Sequence, residues 1–393
     1  MRITDLQFLL SPEGQELLQE TADPPITPAN HLQVASRLRK QIDPAQAQAV
    51  IETVILRQHA ESKFSRAAQM VFTRPALEQA SSEIIANYRA DRFVQAGLKR
   101  IIELGCGIGG DTLALTAQSE VIGVDLEPLR LAMARKNVRV YGNGDRFLPL
   151  QSDITTLPVP ALQAFFFDPA RRDDQGSRMK SVALYQPPLS TIDRWRSKIA
   201  HGAVKISPAV DYTELPVDAD IEFISLAGAV KEGILWYGDL RCGSARRATL
   251  LPAGHTLSSD DFPGEAVLVR APSAYLYEPD GAVIRAHLVQ TLARHLGCAQ
   301  IDKEIAYLTS DQYQETPYAH SFSLEAWFPF QLKRLRRYLR SRDIGRVTIK
   351  KRGSPLEPDS LQQQLRLKGD EHRTLFLTHV LGEHAVLIGS AIR

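Results

Sequence analysis

Residues 101–112 read Ile-Ile-Glu-Leu-Gly-Cys-Gly-Ile-Gly-Gly-Asp-Thr, or IIELGCGIGGDT. Two glycine patterns overlap there. Gly105, Gly107 and Gly110 spell G-x-G-x-x-G, the turn that sets a backbone against a dinucleotide pyrophosphate. Gly105, Gly107 and Gly109 spell G-x-G-x-G with Glu103 two places ahead, which suits S-adenosylmethionine. A glycine-rich turn between a strand and a helix lets the main chain approach a ligand, and the helix N-terminus favours negative charge. A tight structural turn with no ligand is the third reading of the same residues.

The flanking acids separate the two cofactors. Asp125 follows Gly105 by 20 residues, at the end of the next strand, where a carboxylate meets ribose hydroxyls in either class. Glu103 does discriminate: a pyrophosphate would disfavour a carboxylate two residues before the turn, whereas an ammonium and a sulfonium would attract it. Asp153 follows a third strand, where a carboxylate can accept from an adenine amino group. Asp168-Pro169 closes a fourth, at the carboxyl edge where open α/β sheets bind ligands. Acids on four successive strand ends suit a cationic cofactor, S-adenosylmethionine.

Outward from this stretch the chain alternates strand and helix. Strands are expected at Arg100–Leu104, Val121–Asp125, Phe147–Leu150, Ala164–Asp168, Ala203–Ile206 and Ile221–Ser225, with helices such as Leu126–Val138 and Ser181–Lys198 between them. Short apolar strands separated by helices imply a parallel sheet covered on both faces. Residues 228–251 read as β-structure without helices, an antiparallel edge. Ahead of the sheet, residues 1 to about 95 are helical; the segment 43–64 opens with Asp43-Pro44, a helix-start signal. After Pro272 a smaller α+β module begins, ferredoxin-like at its start: helix Gly281–Leu296, strands Ile305–Thr309 and Phe322–Phe328, helix Pro329–Arg342, strand Arg346–Lys351, helix Pro358–Leu365 and two closing strands, Thr374–Val380 and Ala385–Ile392.

With 393 residues the chain exceeds one ordinary core, so several domains are expected. Apolar runs are strand-length and the N-terminus lacks a long apolar segment, which implies no membrane span and no secretory signal. Cys106, Cys242 and Cys298 are far apart and odd in number, fitting a reducing cytoplasm rather than a zinc site. His372, His379 and His384 lack helical ligand spacing, so no metal is expected. The net charge of +2 hides an asymmetry, because residues 331–352 carry ten Lys/Arg against one Asp.

Glu103 to Gly110, Asp125, Asp153 and Asp168-Pro169 resemble the motifs of class I S-adenosylmethionine-dependent methyltransferases, over roughly residues 97–210. The whole chain resembles bacterial methyltransferases carrying a C-terminal THUMP-like domain. The likeness is carried by "FTRPALEQASSEIIANYRADRF" (72–93), "FFDPARR" (166–172), "VKISPAVDY" (204–212), "YLYEPDGAVIRAHLV" (275–289) and the tail from Val347 to Ile388. The resemblance implies a Rossmann-like α/β sheet, with an N-terminal helical region at 1–95 and a methyltransferase domain at 96–270. A small α+β segment at 271–320 and a THUMP-like domain at 321–393 follow. It implies S-adenosylmethionine as cofactor, held by Glu103, Gly105, Gly107, Gly109, Asp125 and Asp153, and activity of class EC 2.1.1.-.

The stretch "AFFFDPARRDD" (164–174) resembles the Asn/Asp-Pro-Pro-aromatic tetrapeptide of methyltransferases that act on exocyclic base nitrogens. Asp168 and Pro169 fit it; Ala170 and Arg171 replace the second proline and the stacking ring. Arg171 can stack through its guanidinium plane or hold a phosphate, or else Arg171 and Arg172 pair with Asp173 and Asp174 on a solvated loop. Asp168, Pro169 and Arg171 are therefore the candidate catalytic residues. The upstream segment around Phe72, Thr73 and Arg74 is similar to the one that helps enclose the cofactor in cap trimethylguanosine synthases; ordinary interhelix packing is its other reading. Lys205 stands among apolar strand neighbours, either facing substrate or reaching solvent from an edge.

Arg334, Arg337 and Arg340 share a helix with Lys333 and Arg336, and Lys350 and Lys351 follow on the next strand. Such a cluster reads as a phosphate footprint, or as a solvated helix face, which usually interleaves acids. THUMP domains bind RNA, so the resemblance implies RNA, either rRNA or tRNA, as partner. The expected function is methylation of structured RNA, on a base nitrogen. Methylation of a protein or small molecule, and a non-catalytic RNA-binding role, are the alternatives. The oligomeric state is not encoded in any of these patterns.

Overall fold

The computed structural model describes residues 1–171, 179 and 181–392. They form two units: Met1–Ala219 with Gly233–Cys242, and Asp220–Glu232 with Gly243–Arg393.

The first unit opens with four helices, α1 (Ile3–Leu10), α2 (Pro12–Ala22), α3 (His31–Leu38) and α4 (Pro44–Ala60). Ser11 and Asp43 cap α2 and α4 by accepting from Gly14 N (3.1 Å) and Ala45 N (2.8 Å). In each a proline occupies the first helical position, where its missing N–H costs nothing. Leu9, Leu18, Leu38, Val50, Ile51 and Val54 pack into their shared core. Two more helices, α5 (Arg74–Gln79) and α6 (Glu83–Gln95), lead to the sheet.

Five parallel strands follow the expected alternation: β1 (Arg100–Leu104), β2 (Glu120–Asp125), β3 (Phe147–Gln151), β4 (Ala164–Phe167) and β5 (His201–Ile206). Helices α7 (Thr112–Leu115), α8 (Pro128–Val140) and α9 (Thr191–Arg196) lie between them in sequence. β6 (Asp220–Leu226) belongs to the second unit. From Gly233 onward β7 (Ala229–Tyr237) belongs to the first, and it pairs antiparallel with β5. The order is β3-β2-β1-β4-β5-β7, so the order in which parallel strands are added reverses between β1 and β4. That switch point is where a doubly wound sheet opens a crevice beyond its strand ends. Ile101, Ile102, Phe165 and Phe166 on these two strands are buried.

One helix expectation in this unit is corrected. Ser181–Lys198 is a 3-10 turn at Val182–Leu184 and then α9, because Pro187 and Pro188 have no N–H to continue a helical ladder.

In the second unit β6 pairs in parallel with β8 (Arg246–Leu251), which pairs antiparallel with β9 (His255–Ser258). The remaining strands are β10 (Tyr275–Pro279), β11 (Ala299–Gln300), β12 (Leu308–Ser310), β13 (Ala319–Pro329), β14 (Ile344–Lys351), β15 (Glu371–Val380) and β16 (Glu383–Ala391). They make one seven-stranded sheet of order β11-β12-β10-β13-β16-β15-β14. All its pairs are antiparallel except β14 with β15. The expected helix Gly281–Leu296 is two, α10 (Gly281–Arg285) and α11 (Val289–Leu296), broken where His287 takes φ +55°. The strand expected at Ile305–Thr309 is shifted to β12. Helices α12 (Leu332–Arg340) and α13 (Pro358–Leu365) send Leu335, Leu339, Leu361 and Leu365 into a core with Leu375, Leu377 and Ile388.

No helix among the described residues is long and apolar enough to cross a membrane.

Candidate cofactor and acceptor site

The turn after β1 is built on left-handed backbone. Gly105, Gly107 and Gly109 take φ of +85°, +55° and +86°. Gly105 is fixed twice over: a Cβ there would lie 2.9 Å from the carbonyl oxygen of Asp168, so the turn and the end of β4 touch through backbone alone. Asp125, at the tip of β2, accepts from Gly107 N at 3.0 Å and from Glu127 N at 2.9 Å. It is 7% exposed, and each carboxylate oxygen keeps a further lone pair.

Glu103 lies beneath this turn rather than at its surface. It is buried, and its Oε2 accepts from Thr112 Oγ1 at 2.6 Å. Burial, then the neighbouring charge of Asp111, pushes its carboxyl well above the ordinary value. Asp153 is exposed and turned to its own loop, accepting from Thr155 N (2.8 Å) and Thr155 Oγ1 (2.7 Å). Those bonds hold it below the usual carboxylate range.

At the end of β4, Asp168 meets two cations. Lys205 Nζ lies 2.5 Å from its Oδ2, and an Arg171 guanidinium nitrogen lies 3.7 Å from its Oδ1. Arg171 also donates to Ile206 O at 3.0 Å. Pro169 is buried, and Ala170 exchanges backbone hydrogen bonds with Gln186, both at 3.0 Å. Arg172, Asp173 and Asp174 lie outside the described residues.

Lys205 neither reaches solvent nor lines an open surface: it is 2% exposed. Besides Asp168 it donates to Ser81 Oγ at 2.9 Å, with Asp111 Oδ2 at 3.9 Å. Ser81 donates to Asp111 Oδ2 at 3.0 Å and accepts from Arg89 at 2.7 Å, and Arg89 in turn pairs with Asp111. Burial works to raise the Asp111 carboxyl, but Arg89 and then Lys205 outweigh it and hold it below its ordinary value. Ser81, Arg89 and Asp111 are the site residues the sequence reading missed. All three stood inside quoted stretches, but they lie 8 to 30 residues apart and carry no spacing pattern. Phe72 is buried against Phe64, with ring centroids 5.9 Å apart, and Arg74 is exposed.

Two S-adenosylmethionine-dependent methyltransferases of Mycobacterium tuberculosis, from strains CDC 1551 and H37Rv, are each 34% identical to this chain over 347 residues, covering 84% of it and 92% of the relative. The chain belongs to the S-adenosylmethionine-dependent methyltransferases. Residues 319–391 of this methyltransferase match the family model described as THUMP domain-like, residues 98–201 that of the RNA cap guanine-N2 methyltransferases, and residues 2–60 a domain of unknown function. The fold is shared by an assigned methyltransferase from Porphyromonas gingivalis W83: TM-score 0.76 at 19% identity, covering 96% of this chain and 99% of that one.

The cofactor's demands fit this methyltransferase's turn. Left-handed glycines remove the side chains that would fill the approach to the backbone, and Asp125 keeps acceptor capacity beside them. Among the described residues no group of three or more His, Cys, Asp or Glu is placed to hold a metal ion.

In the THUMP-like part of the methyltransferase, Lys333, Arg334, Arg337 and Arg340 are exposed on α12, opposite the buried Leu335 and Leu339. Arg334 lies over the Phe328 ring at 4.4 Å, and Arg336 donates to Gln364 O at 2.8 Å. The next strand differs. Lys350 pairs with Glu278 and Lys351 with Glu357.

Proposed function

We propose that this methyltransferase modifies structured RNA, rRNA or tRNA, at a base nitrogen presented beside Asp168. The observation that carries the reading is the cationic face of α12. Arg334, Arg337 and Arg340 point outward, and among the described residues none of the three forms an ion pair with an acid. Three guanidiniums exposed on one helix carry the charge that a phosphate backbone requires. The match of residues 98–201 to the cap guanine-N2 family supports a base as acceptor. Lys351 joins the footprint by exchanging the exposed Glu357 carboxylate for a phosphate, a small cost for an exposed pair; Lys350 joins it by leaving the mostly buried Glu278 to Arg352, 3.9 Å away.

When bound, S-adenosylmethionine supplies an electrophilic methyl group on a sulfonium. The chain's residues hold and align. Gly105, Gly107 and Gly109 admit the cofactor to the backbone, Asp125 accepts from its ribose, Asp153 from its adenine, and Glu103 acts through Thr112 to brace the turn. Asp168 accepts a hydrogen bond from the acceptor amine and so orients its lone pair, with Pro169 stiffening the strand end. Arg171 stacks on the base or holds its phosphate. In this division of labour residues 96–270 carry the chemistry and residues 321–393 grip the RNA.

The test is transfer of labelled methyl from S-adenosylmethionine to total RNA from cells lacking the gene. Label in one RNA fraction supports the reading. Label confined to protein or small molecules overturns it.

A further inference from the structure

We propose that Lys205 is a positioning residue for Asp168: its buried ammonium, anchored on Ser81, fixes the carboxylate in the attitude that meets the acceptor. The proposal rests on the reading above, in which Asp168 touches the acceptor.

Strand register brings the two together. β4 and β5 pair in parallel with Phe167 opposite Val204, so the next residues, Asp168 and Lys205, fall side by side. Val204 and Ile206 are fully buried, and an apolar residue between them would pack at no electrostatic cost. A lysine there must be desolvated, a penalty that only well-placed partners offset. The partners are well placed. Ser81 Oγ accepts from both Lys205 (2.9 Å) and Arg89 (2.7 Å) and donates to Asp111 (3.0 Å). A hydroxyl has one donor and two lone pairs, so Ser81 is saturated and cannot swing. Arg89 and Asp111 close the array on the inner side.

The array is graded outward. Arg89, Ser81, Asp111 and Lys205 are buried, while the side chains of Asp168 and Arg171 are each 22% exposed. Lys205 thus connects a fixed interior to the one carboxylate of the set that opens to an acceptor. Its contact at 2.5 Å fixes Oδ2 and leaves Oδ1 with only the longer approach of Arg171 at 3.7 Å. Ser81 and Arg89 come from the helical segment ahead of the sheet, so that segment takes part in setting the acceptor site.

The experiment measures methyl transfer to total RNA from cells lacking the gene, using Asp168→Asn, Lys205→Met, Lys205→Arg and the double variant Lys205→Met/Asp168→Asn. Lys205→Met should lower kcat by about 100-fold, the scale of a misplacement near 1 Å, with KM for RNA and Kd for adenosylhomocysteine unchanged. Lys205→Arg should recover part of the loss. The double variant should match Asp168→Asn, because Lys205 has nothing left to position. That comparison stands even if Lys205→Met alone does not fold, since the double variant removes opposite charges together. Full kcat in Lys205→Met, or a further loss of similar size in the Asp168→Asn background, overturns the proposal. A crystal structure of Lys205→Met reads positioning without catalysis: Asp168 should leave its place while Asp111 keeps its own, and an unmoved Asp168 contradicts the proposal. If the wild type transfers no methyl to RNA, the acceptor reading fails, and the crystal structure still decides Lys205.

Discussion

Asp125 accepts the backbone amide of Gly107 at 3.0 Å, so the carboxylate we propose for the ribose also pins the glycine turn. On that proposal binding and loop geometry are linked at one side chain. Asp125→Ala should weaken adenosylhomocysteine by about 1.5–3 kcal/mol, the value of a hydrogen bond to a charged group. Calorimetry reads this directly, and NAD should give no heat. Unchanged affinity would remove Asp125 from the pocket.

Gly105 and Gly142 form a matched pair for testing the close approach of turn to strand. Both are left-handed, at φ +85° and +81°, but a Cβ on Gly105 meets the Asp168 carbonyl at 2.9 Å while one on Gly142 meets nothing within 4 Å. Gly142→Ala should cost only the left-handed penalty of about 1–2 kcal/mol. Gly105→Ala should cost more in urea denaturation and should also impair adenosylhomocysteine binding. Equal costs with binding intact would mean that the contact is loose.

Glu103 gives a pH signature. Its folded carboxyl titrates above the ordinary 4.5, chiefly through burial, so the native state holds a proton that the unfolded chain releases. The stability this contributes is complete below about pH 4.5 and is lost as pH rises through the folded value. Glu103→Gln keeps an oxygen for Thr112 and has no proton to lose. Its stability relative to wild type should therefore climb as pH rises above about 4.5, by up to about 1.4 kcal/mol per pH unit. A flat difference across that range would mean Glu103 is ionised in the folded protein.

The cationic face of α12 predicts a salt effect. Replacing Arg334, Arg337 and Arg340 with Gln should flatten the log–log salt dependence of RNA binding by about 2 units, from roughly 0.7–0.9 per lost phosphate contact. Gln is nearly as good a helix former as Arg, so the fold should hold, and adenosylhomocysteine affinity should not change. An unchanged slope would make this face merely solvated.

The sheet was legible because period and punctuation agree: β1 and α13 lie where apolar runs and turn residues put them, and Asp43-Pro44 starts α4. Where the reading erred, a local signal competed. Pro187-Pro188 overrode the helical composition of 181–198, and the left-handed His287 divided α10 from α11. The acids at strand ends were visible, but their surroundings were not. Nothing in the sequence says that Glu103 lies under the turn or that Lys205 sits against Asp168. Those facts depend on strand register and on Ser81, which is 124 residues from Lys205. Lys350 and Lys351 read as part of one basic run, and only the fold brings Glu278, 72 residues before Lys350, beside it.

The central claim is that the methyl group ends on RNA. Nucleoside mass spectrometry of rRNA and tRNA from wild-type and gene-deleted cells tests it most directly. One methylated base should be missing from the deletion strain and should return when its RNA is incubated with the purified protein and S-adenosylmethionine. Identical nucleoside profiles in the two strains, with no methyl restored in vitro, would contradict it.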